Sequence, residues 1–218
     1  MPGRGRTPET APPALRPASE REGPVVTAFI ISLAVIFVAE LGDKSQLMAM
    51  TFATRFRAMP VLIGITAATA LVHLASVVVG AVLGAALPTR PISVLAGLAF
   101  LGFAMWTLRG DELDDEERDK ARKASGSAIL AVGTAFFLAE LGDKTMLATI
   151  TLAADHGGFL GLTGIWLGST IGMVAADALA IVVGQALGKR LPERVIKYGA
   201  AAGFAVFGAL LLVEGAGG

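Results

Sequence analysis

The fold is decided by a charged hexapeptide, ELGDKS at residues 40–45, which lies in an apolar stretch and recurs as ELGDKT at residues 140–145. The surrounding sequence also recurs, since FVAELGDKSQL at 37–47 is matched by FLAELGDKTML at 137–147. Ionisable side chains within a membrane-length apolar run are costly and are usually retained for a function. Two near-identical copies argue against chance, so the duplicated motif is expected to bind a ligand.

The composition is typical of a membrane protein. Hydrophobic residues make up 54% of the 218 residues and charged residues 17%. The mean hydropathy of +0.69 is too high for an ordinary soluble domain. With no cysteine and two histidines, disulfides, thiolate-bound zinc and a histidine-rich metal site are excluded. No phosphate-binding glycine loop or nucleic-acid surface is recognisable, so we expect no prosthetic group and no nucleic-acid partner.

Apolar segments of membrane length predict an all-α membrane protein with six transmembrane helices. These segments cover residues 25–53, 60–87, 91–108, 127–153, 159–187 and 195–213. The repeat extends beyond the motif, because VVVG at 77–80 is matched by IVVG at 181–184. Each half is therefore predicted to be a three-helix unit. An odd number of spans per unit gives the second unit the opposite orientation, as in the inverted repeats of secondary transporters.

The remaining segments complete the predicted organisation of the chain. Residues 1–23 are predicted to be a disordered tail, residues 24–108 the first repeat, residues 109–126 a charged cytoplasmic linker and residues 127–218 the second repeat. In this topology the loops on one side hold eleven Lys and Arg residues, against five on the other side. The positive-inside rule then predicts that both termini lie outside. The expected location of this multi-pass chain is the cell (inner) membrane.

Helical spacing predicts that the charges of each motif lie together near mid-membrane. On a continuous helix, Glu40, Asp43 and Lys44 fall within about one third of the circumference. The same spacing holds in the second motif. The motif glycine, Gly42 or Gly142, allows either a close approach between helices or a break that exposes backbone carbonyls. The sequence leaves these two alternatives open.

The charges of the two motifs indicate a small, hard cation as the ligand. Each motif carries two carboxylates and one ammonium group, so two motifs that meet carry a net charge of −2. One divalent cation neutralises this charge, and oxygen ligands favour Ca²⁺, Mg²⁺ or Mn²⁺. Without the metal, four close carboxylates in a low dielectric would take up protons. Competition between metal and proton at one site is the physical basis of antiport.

Purely structural interpretations remain open for some of these residues. Glu and Lys four positions apart could form a salt bridge within each motif, although burial makes such a pair a weak source of stability. Lys44 and Lys144 either hold the carboxylates apart in the empty site or take a direct part in transport. His73 and Asp177 occupy equivalent positions in the two repeats. They are either hydrogen-bonded core groups or a proton relay.

The duplicated Glu-x-Gly-Asp-Lys-Ser/Thr motif resembles the signature of the cation/proton exchangers of the Golgi, chloroplasts and bacteria that move manganese and calcium. That family is grouped with the lysine-exporter superfamily. The resemblance covers residues 25–213 and implies that both motifs face a central cavity. The cation ligands that it implies are Glu40, Asp43, Glu140 and Asp143. The supporting residues are Gly42, Lys44, Ser45, Gln46, Gly142, Lys144 and Thr145.

Gln46 also fits the pattern of that family, whereas its counterpart in the second motif is Met146. This departure removes one hard oxygen ligand, so the site is expected to be less symmetric than the repeat.

The predicted function is secondary active exchange of Mn²⁺ and/or Ca²⁺ for protons, without enzymatic activity. As implied for bacterial members of the family, the expected direction is export of manganese from the cytoplasm. The partners are the transported ion, protons and the lipid bilayer. An exporter of a cationic amino acid or other organic cation is the alternative, and an intramembrane hydrolase a remote one. The sequence leaves open the choice of Mn²⁺ or Ca²⁺ and whether the chain forms a homodimer.

Overall fold

A computed structural model describes residues 18–109, 119, 127–187 and 193–217. Within these ranges the chain forms eight helices and no strand. In chain order they are α1 (Ala18–Glu40), α2 (Lys44–Ala53), α3 (Ala58–Ala86), α4 (Thr89–Arg109), α5 (Ala128–Glu140), α6 (Lys144–Asp155), α7 (Gly158–Leu187) and α8 (Glu193–Gly217).

The same order of helices occurs twice. In the first half two helices flank the motif, followed by α3 with 29 residues and α4 with 21 residues. In the second half α5 and α6 flank the motif copy, followed by α7 with 30 residues and α8 with 25 residues. The helix order therefore reproduces the repeat seen in the sequence.

The lengths and composition of the helices fit a membrane protein. Three helices are long and apolar enough to cross a membrane, namely Ala58–Ala86, Arg90–Arg109 and Gly158–Gln185. The pair Val25–Glu40 and Lys44–Ala53 is a fourth candidate, bent by 75° at the motif. Ala128–Glu140 and Lys197–Val213 are apolar but shorter. The described residues thus contain three or four candidate spans, whereas six spans in inverted repeats stay a prediction.

Two of the predicted segments differ from the structure in a way that bears on the site. Residues 25–53 and 127–153, each predicted as one span, are each two helices separated by residues 41–43 or 141–143. At the chain start α1 begins at Ala18, so the predicted boundary at residue 23 lies inside a helix. Residues 1–17 and most of the predicted linker lie outside the described residues.

Each repeat packs its helices against those of the other repeat. α1 lies against α7, and α5 lies against α3, which is the same contact with the repeats exchanged. The contacts of α2 with α7 and of α6 with α3 are related in the same way, and α4 pairs with its counterpart α8. As a result, the motif ends of α1 and α5 lie in the interior.

Small residues permit the closest of these contacts. A Cβ added at Gly168 of α7 would meet the Phe29 carbonyl and the Ser32 hydroxyl of α1. A Cβ added at Gly80 of α3 would likewise meet the Ile150 carbonyl of α6. Small residues allow such backbone approach between membrane helices, where little hydrophobic driving force is available. These close contacts fix the positions of the helix ends that carry the motifs.

Candidate functional site

Each motif is a break between two helices. α1 ends at Glu40 and α2 begins at Lys44, and the second motif is broken at the equivalent position. Gly42 and Gly142 have φ values of 76° and 83°, a left-handed conformation that glycine adopts readily. Of the two alternatives that the sequence left open, the structure shows the break, so Glu40, Asp43 and Lys44 do not lie on one continuous helix. A three-residue turn, not helical periodicity, sets their relative positions.

The two glutamates have matching environments. The Ser45 hydroxyl donates to Glu40 Oε1, and Thr145 Oγ1 donates to Glu140 Oε2 at 2.8 Å. The glutamates are 0% and 1% exposed. Their other oxygens, Glu40 Oε2 and Glu140 Oε1, have no hydrogen-bond partner among the described residues. Because a buried polar atom without a partner is costly, these two oxygens are suited to receive a cation or a proton.

The two motifs are joined by a buried ion pair. Asp43 and Asp143 precede α2 and α6, yet neither side chain caps its helix. The Asp43 carboxylate instead pairs with the Lys144 ammonium group of the other motif. Asp43 is 1% exposed and Lys144 3% exposed, whereas Lys44 is half-buried. This ion pair lies between the motifs, whereas sequence spacing suggested only a salt bridge within each motif.

Electrostatic interactions extend the cluster to five carboxylates. The charge of Glu40 interacts with those of Glu140, Asp43 and Asp177. Glu140 interacts in turn with Asp43 and Asp143. The structure therefore brings together all four predicted ligands. It adds Asp177, which the sequence analysis considered as either a core group or a member of a proton relay and not as a cation ligand.

The cluster is not assembled as a metal cage in this conformation. Across the described ranges, no three His, Asp or Glu side chains are grouped in a way that could hold a metal ion. Lys144 lies among the carboxylates and forms an ion pair with Asp43. In this conformation the positive charge beside Asp43 is supplied by the protein itself.

Gln46 supports the first motif, and Met146 reproduces only half of that role. Gln46 Oε1 accepts from the Gly42 amide at 2.8 Å, while Gln46 Nε2 donates to the Ala176 carbonyl at 2.9 Å. Met146 Sδ accepts from the Gly142 amide at 3.2 Å, but a thioether has no donor for a second bond. Gln46 therefore stabilises the turn and ties α2 to α7 beside Asp177.

His73 and Asp177 are equivalent in sequence but not in environment. Asp177 is 0% exposed, and neither of its carboxylate oxygens has a hydrogen-bond partner among the described residues. His73 is 1% exposed, and its Nδ1 lies 3.5 Å from Thr170 Oγ1. In the part of the chain that the structure describes, no carboxylate is hydrogen-bonded to His73. Only Asp177 therefore joins the charged cluster.

The substitution Gln46→Met gives the first motif the side chain that the second motif has at the equivalent position, Met146. The Gly42 amide keeps an acceptor, but the bond to the Ala176 carbonyl is lost. We expect the free energy of unfolding to fall by about 1 kcal/mol, measured as a lower midpoint of thermal denaturation in detergent. The matched control Met146→Leu removes only a weak sulfur acceptor and should change the midpoint less. An unchanged midpoint in Gln46→Met would contradict the role assigned to Gln46.

Comparison with known proteins identifies relatives of most of the chain. The model of the family described as divalent cation/proton antiporter GDT1 matches residues 28–115 and 128–218. A Vibrio cholerae protein named "Putative manganese exporter" is 32% identical over 174 residues, which cover 79% of this chain and 84% of that protein. A GDT1-like protein of a Synechocystis species is 30% identical over 190 residues, covering 79% and 90%.

A chloroplast relative is similar over a smaller share of its own length. PAM71 of Arabidopsis thaliana is 29% identical over 219 residues, which cover 88% of this chain and 58% of PAM71. No solved structure matches the chain.

The family match includes both motifs and the helices that carry them. It confirms the resemblance to cation/proton exchangers, although it does not address the wider lysine-exporter grouping. It also confirms that the chain is a transporter and not an enzyme. The chain belongs to the divalent cation/proton antiporter family GDT1.

Proposed function

We propose that this protein exchanges Mn²⁺ and/or Ca²⁺ for protons across a bacterial-type inner membrane and exports manganese from the cytoplasm. Its family supports divalent cation/proton antiport. The choice of manganese is supported by the printed name of the Vibrio cholerae relative. The single observation that carries the site assignment is the meeting of both motifs in one buried cluster of opposite charges.

The transported ion is bound by carboxylate oxygens from both motifs in this proposal. The four ligands are Glu40, Asp43, Glu140 and Asp143. Each glutamate is positioned by a neighbouring hydroxyl that takes up one oxygen and leaves the other for the ion. Oxygen ligands of this kind suit Mn²⁺ and Ca²⁺. The four ligands with Lys44 and Lys144 sum to −2, which fits one divalent ion.

Alternating access follows from the duplicated architecture. We place six spans in two inverted three-helix repeats, with both termini on the outer side of the membrane, away from the cytoplasm. Half-helices that meet at a break are typical of ion sites in transporters of this kind. The two repeats rock around the site, and protons replace the metal on the carboxylates when the cavity faces the proton-rich side. With the protonmotive force directed inward, this cycle exports the metal.

Protons reach the carboxylates through Asp177 in this proposal, with His73 as a second member of the relay. Asp177 is suited to carry a proton because both of its buried oxygens have no hydrogen-bond partner among the described residues. Its charge interacts with that of Asp43, so a proton on Asp177 weakens the repulsion within the cluster. His73 of α3 lies beside Thr170 of α7, the helix that carries Asp177.

Export of an organic cation has less support. The four ligands are between 0% and 5% exposed, which suits a small ion better than a bulky solute. An intramembrane hydrolase is not supported, because the family is one of antiporters.

Removing a ligand should abolish transport of the metal. In inverted membrane vesicles with an imposed pH gradient, we expect Glu40→Gln and Asp143→Asn each to lower the initial rate of Mn²⁺ uptake by about tenfold or more. The matched control Asp119→Asn removes an exposed carboxylate outside the motifs and should leave the rate unchanged. Excess lysine should not compete with Mn²⁺. Undiminished uptake in both ligand variants would contradict the ligand assignment.

The proposed proton relay through Asp177 can be tested separately from the ligand assignment. In Asp177→Asn proteoliposomes, Mn²⁺/Mn²⁺ exchange without a pH gradient should persist, while uptake driven by a pH gradient should fall about tenfold or more. His73→Ala should give a smaller loss of the same kind, because His73 is not hydrogen-bonded to a carboxylate in the described structure. Measuring both activities on one preparation distinguishes a loss of proton coupling from a loss of folded protein. Equal losses of exchange and of gradient-driven uptake in Asp177→Asn would contradict the relay.

A further inference from the structure

We propose that the Lys144 ammonium group is a tethered competitor of the transported ion. It pairs with the Asp43 carboxylate when no metal ion is bound, and the divalent cation binds by displacing it. This inference rests on the cation site proposed above and adds to it a role for one residue of the second motif.

The first support is the position of Lys144. The side chain begins at the first residue of α6 and reaches across to the carboxylate of the other motif. Both partners are almost fully buried. Lys144 also lies close enough to Glu40 for their opposite charges to attract. The ammonium group of Lys144, in the second motif, therefore neutralises carboxylates of the first motif.

The second support is the state of the site around Lys144. Among the described residues, no three acidic or histidine side chains form a group that could hold a metal ion, although five carboxylates interact. An ammonium group has three donors and no acceptor, so it cannot serve as a metal ligand. A divalent ion on Asp43 would repel a lysine on the same carboxylate. Binding the ion therefore requires that Lys144 withdraw.

The third support is the asymmetry between the two lysines. Lys44 occupies the equivalent position but is half-buried, whereas Lys144 is 3% exposed. Charge interactions weaken when water screens them. The competing charge thus comes chiefly from the second motif, even though the two motifs have almost the same sequence.

The consequence for transport concerns release of the ion. Buried carboxylates without any cation carry a large desolvation cost. A lysine that returns to Asp43 offsets this cost in the empty carrier and lowers its affinity for the metal. Lys144 thereby promotes release of the ion from a site of strong oxygen ligands.

Equilibrium Mn²⁺ binding to the purified full-length protein in detergent tests this inference. We expect Lys144→Met to bind Mn²⁺ about tenfold more tightly than the unmodified chain, because the competing charge is gone. Lys44→Met, the matched control, should tighten binding less. Lys144→Arg keeps a tethered cation and should stay close to the unmodified chain. Gel filtration shows which variants are folded, and Lys144→Gln replaces Lys144→Met if the latter aggregates.

A soluble amine distinguishes displacement from simple repulsion. In Lys144→Ala, n-propylammonium should compete with Mn²⁺ and raise its apparent Kd, because it can occupy the space that the lysine left beside Asp43. It should have no such effect in the unmodified chain. Tetramethylammonium at the same ionic strength lacks N–H donors and should not compete in either protein.

The outcomes separate this inference from the proposed function. If the unmodified chain binds no Mn²⁺ and no Ca²⁺, the proposed function fails. If it binds Mn²⁺ but Lys144→Met or Lys144→Gln binds no more tightly, the competitor role is overturned and the cation site stands. If binding tightens but n-propylammonium has no effect in Lys144→Ala, Lys144 repels the ion from a fixed position, and displacement is overturned.

Discussion

The structure depends on one constraint, which is that charges buried among apolar helices must be compensated inside the protein. Isolated carboxylates would be too costly in such surroundings. The chain meets the constraint by bringing two motifs, each with charges of both signs, into one cluster, where Lys144 of one motif pairs with Asp43 of the other. Serine and threonine hydroxyls take up part of the remaining acceptor capacity. The packing of α1 on α7 and of α5 on α3 holds the motifs in place.

Compensation is incomplete at some of the atoms to which we assign ion binding and proton transfer. One oxygen of each motif glutamate and both oxygens of Asp177 are buried without a hydrogen-bond partner among the described residues. Native proteins seldom leave such atoms unsatisfied without a reason. An exchanger provides one, because its site must be stable with a metal ion, with protons and briefly with neither.

Much of this could be predicted from the sequence. The duplicated hexapeptide indicated two related halves and a shared site, and its resemblance to cation/proton exchangers is confirmed by the family comparison. The break in each motif could not be predicted, since Gly42 and Gly142 are equally compatible with helix and with turn. The contact between Lys144 and Asp43 depends on how one repeat sits against the other, which spacing within a motif does not encode. For the same reason Asp177 and His73, equivalent in sequence, differ in environment.

The asymmetry between the motifs has a clear physical origin. Gln46 makes two hydrogen bonds where Met146 makes one, and Lys144 is buried where Lys44 is partly exposed. The motifs therefore share one charged cluster while they contribute differently to it. We propose that the cluster holds one ion between two unequal halves.

The most direct measurement is the number of Mn²⁺ ions bound per chain at saturation in the purified protein. A single shared site predicts one ion per chain, with binding weakened by Glu40→Gln and equally clearly by Glu140→Gln. Two ions per chain, with one retained in each of these variants, would contradict a site shared by both motifs.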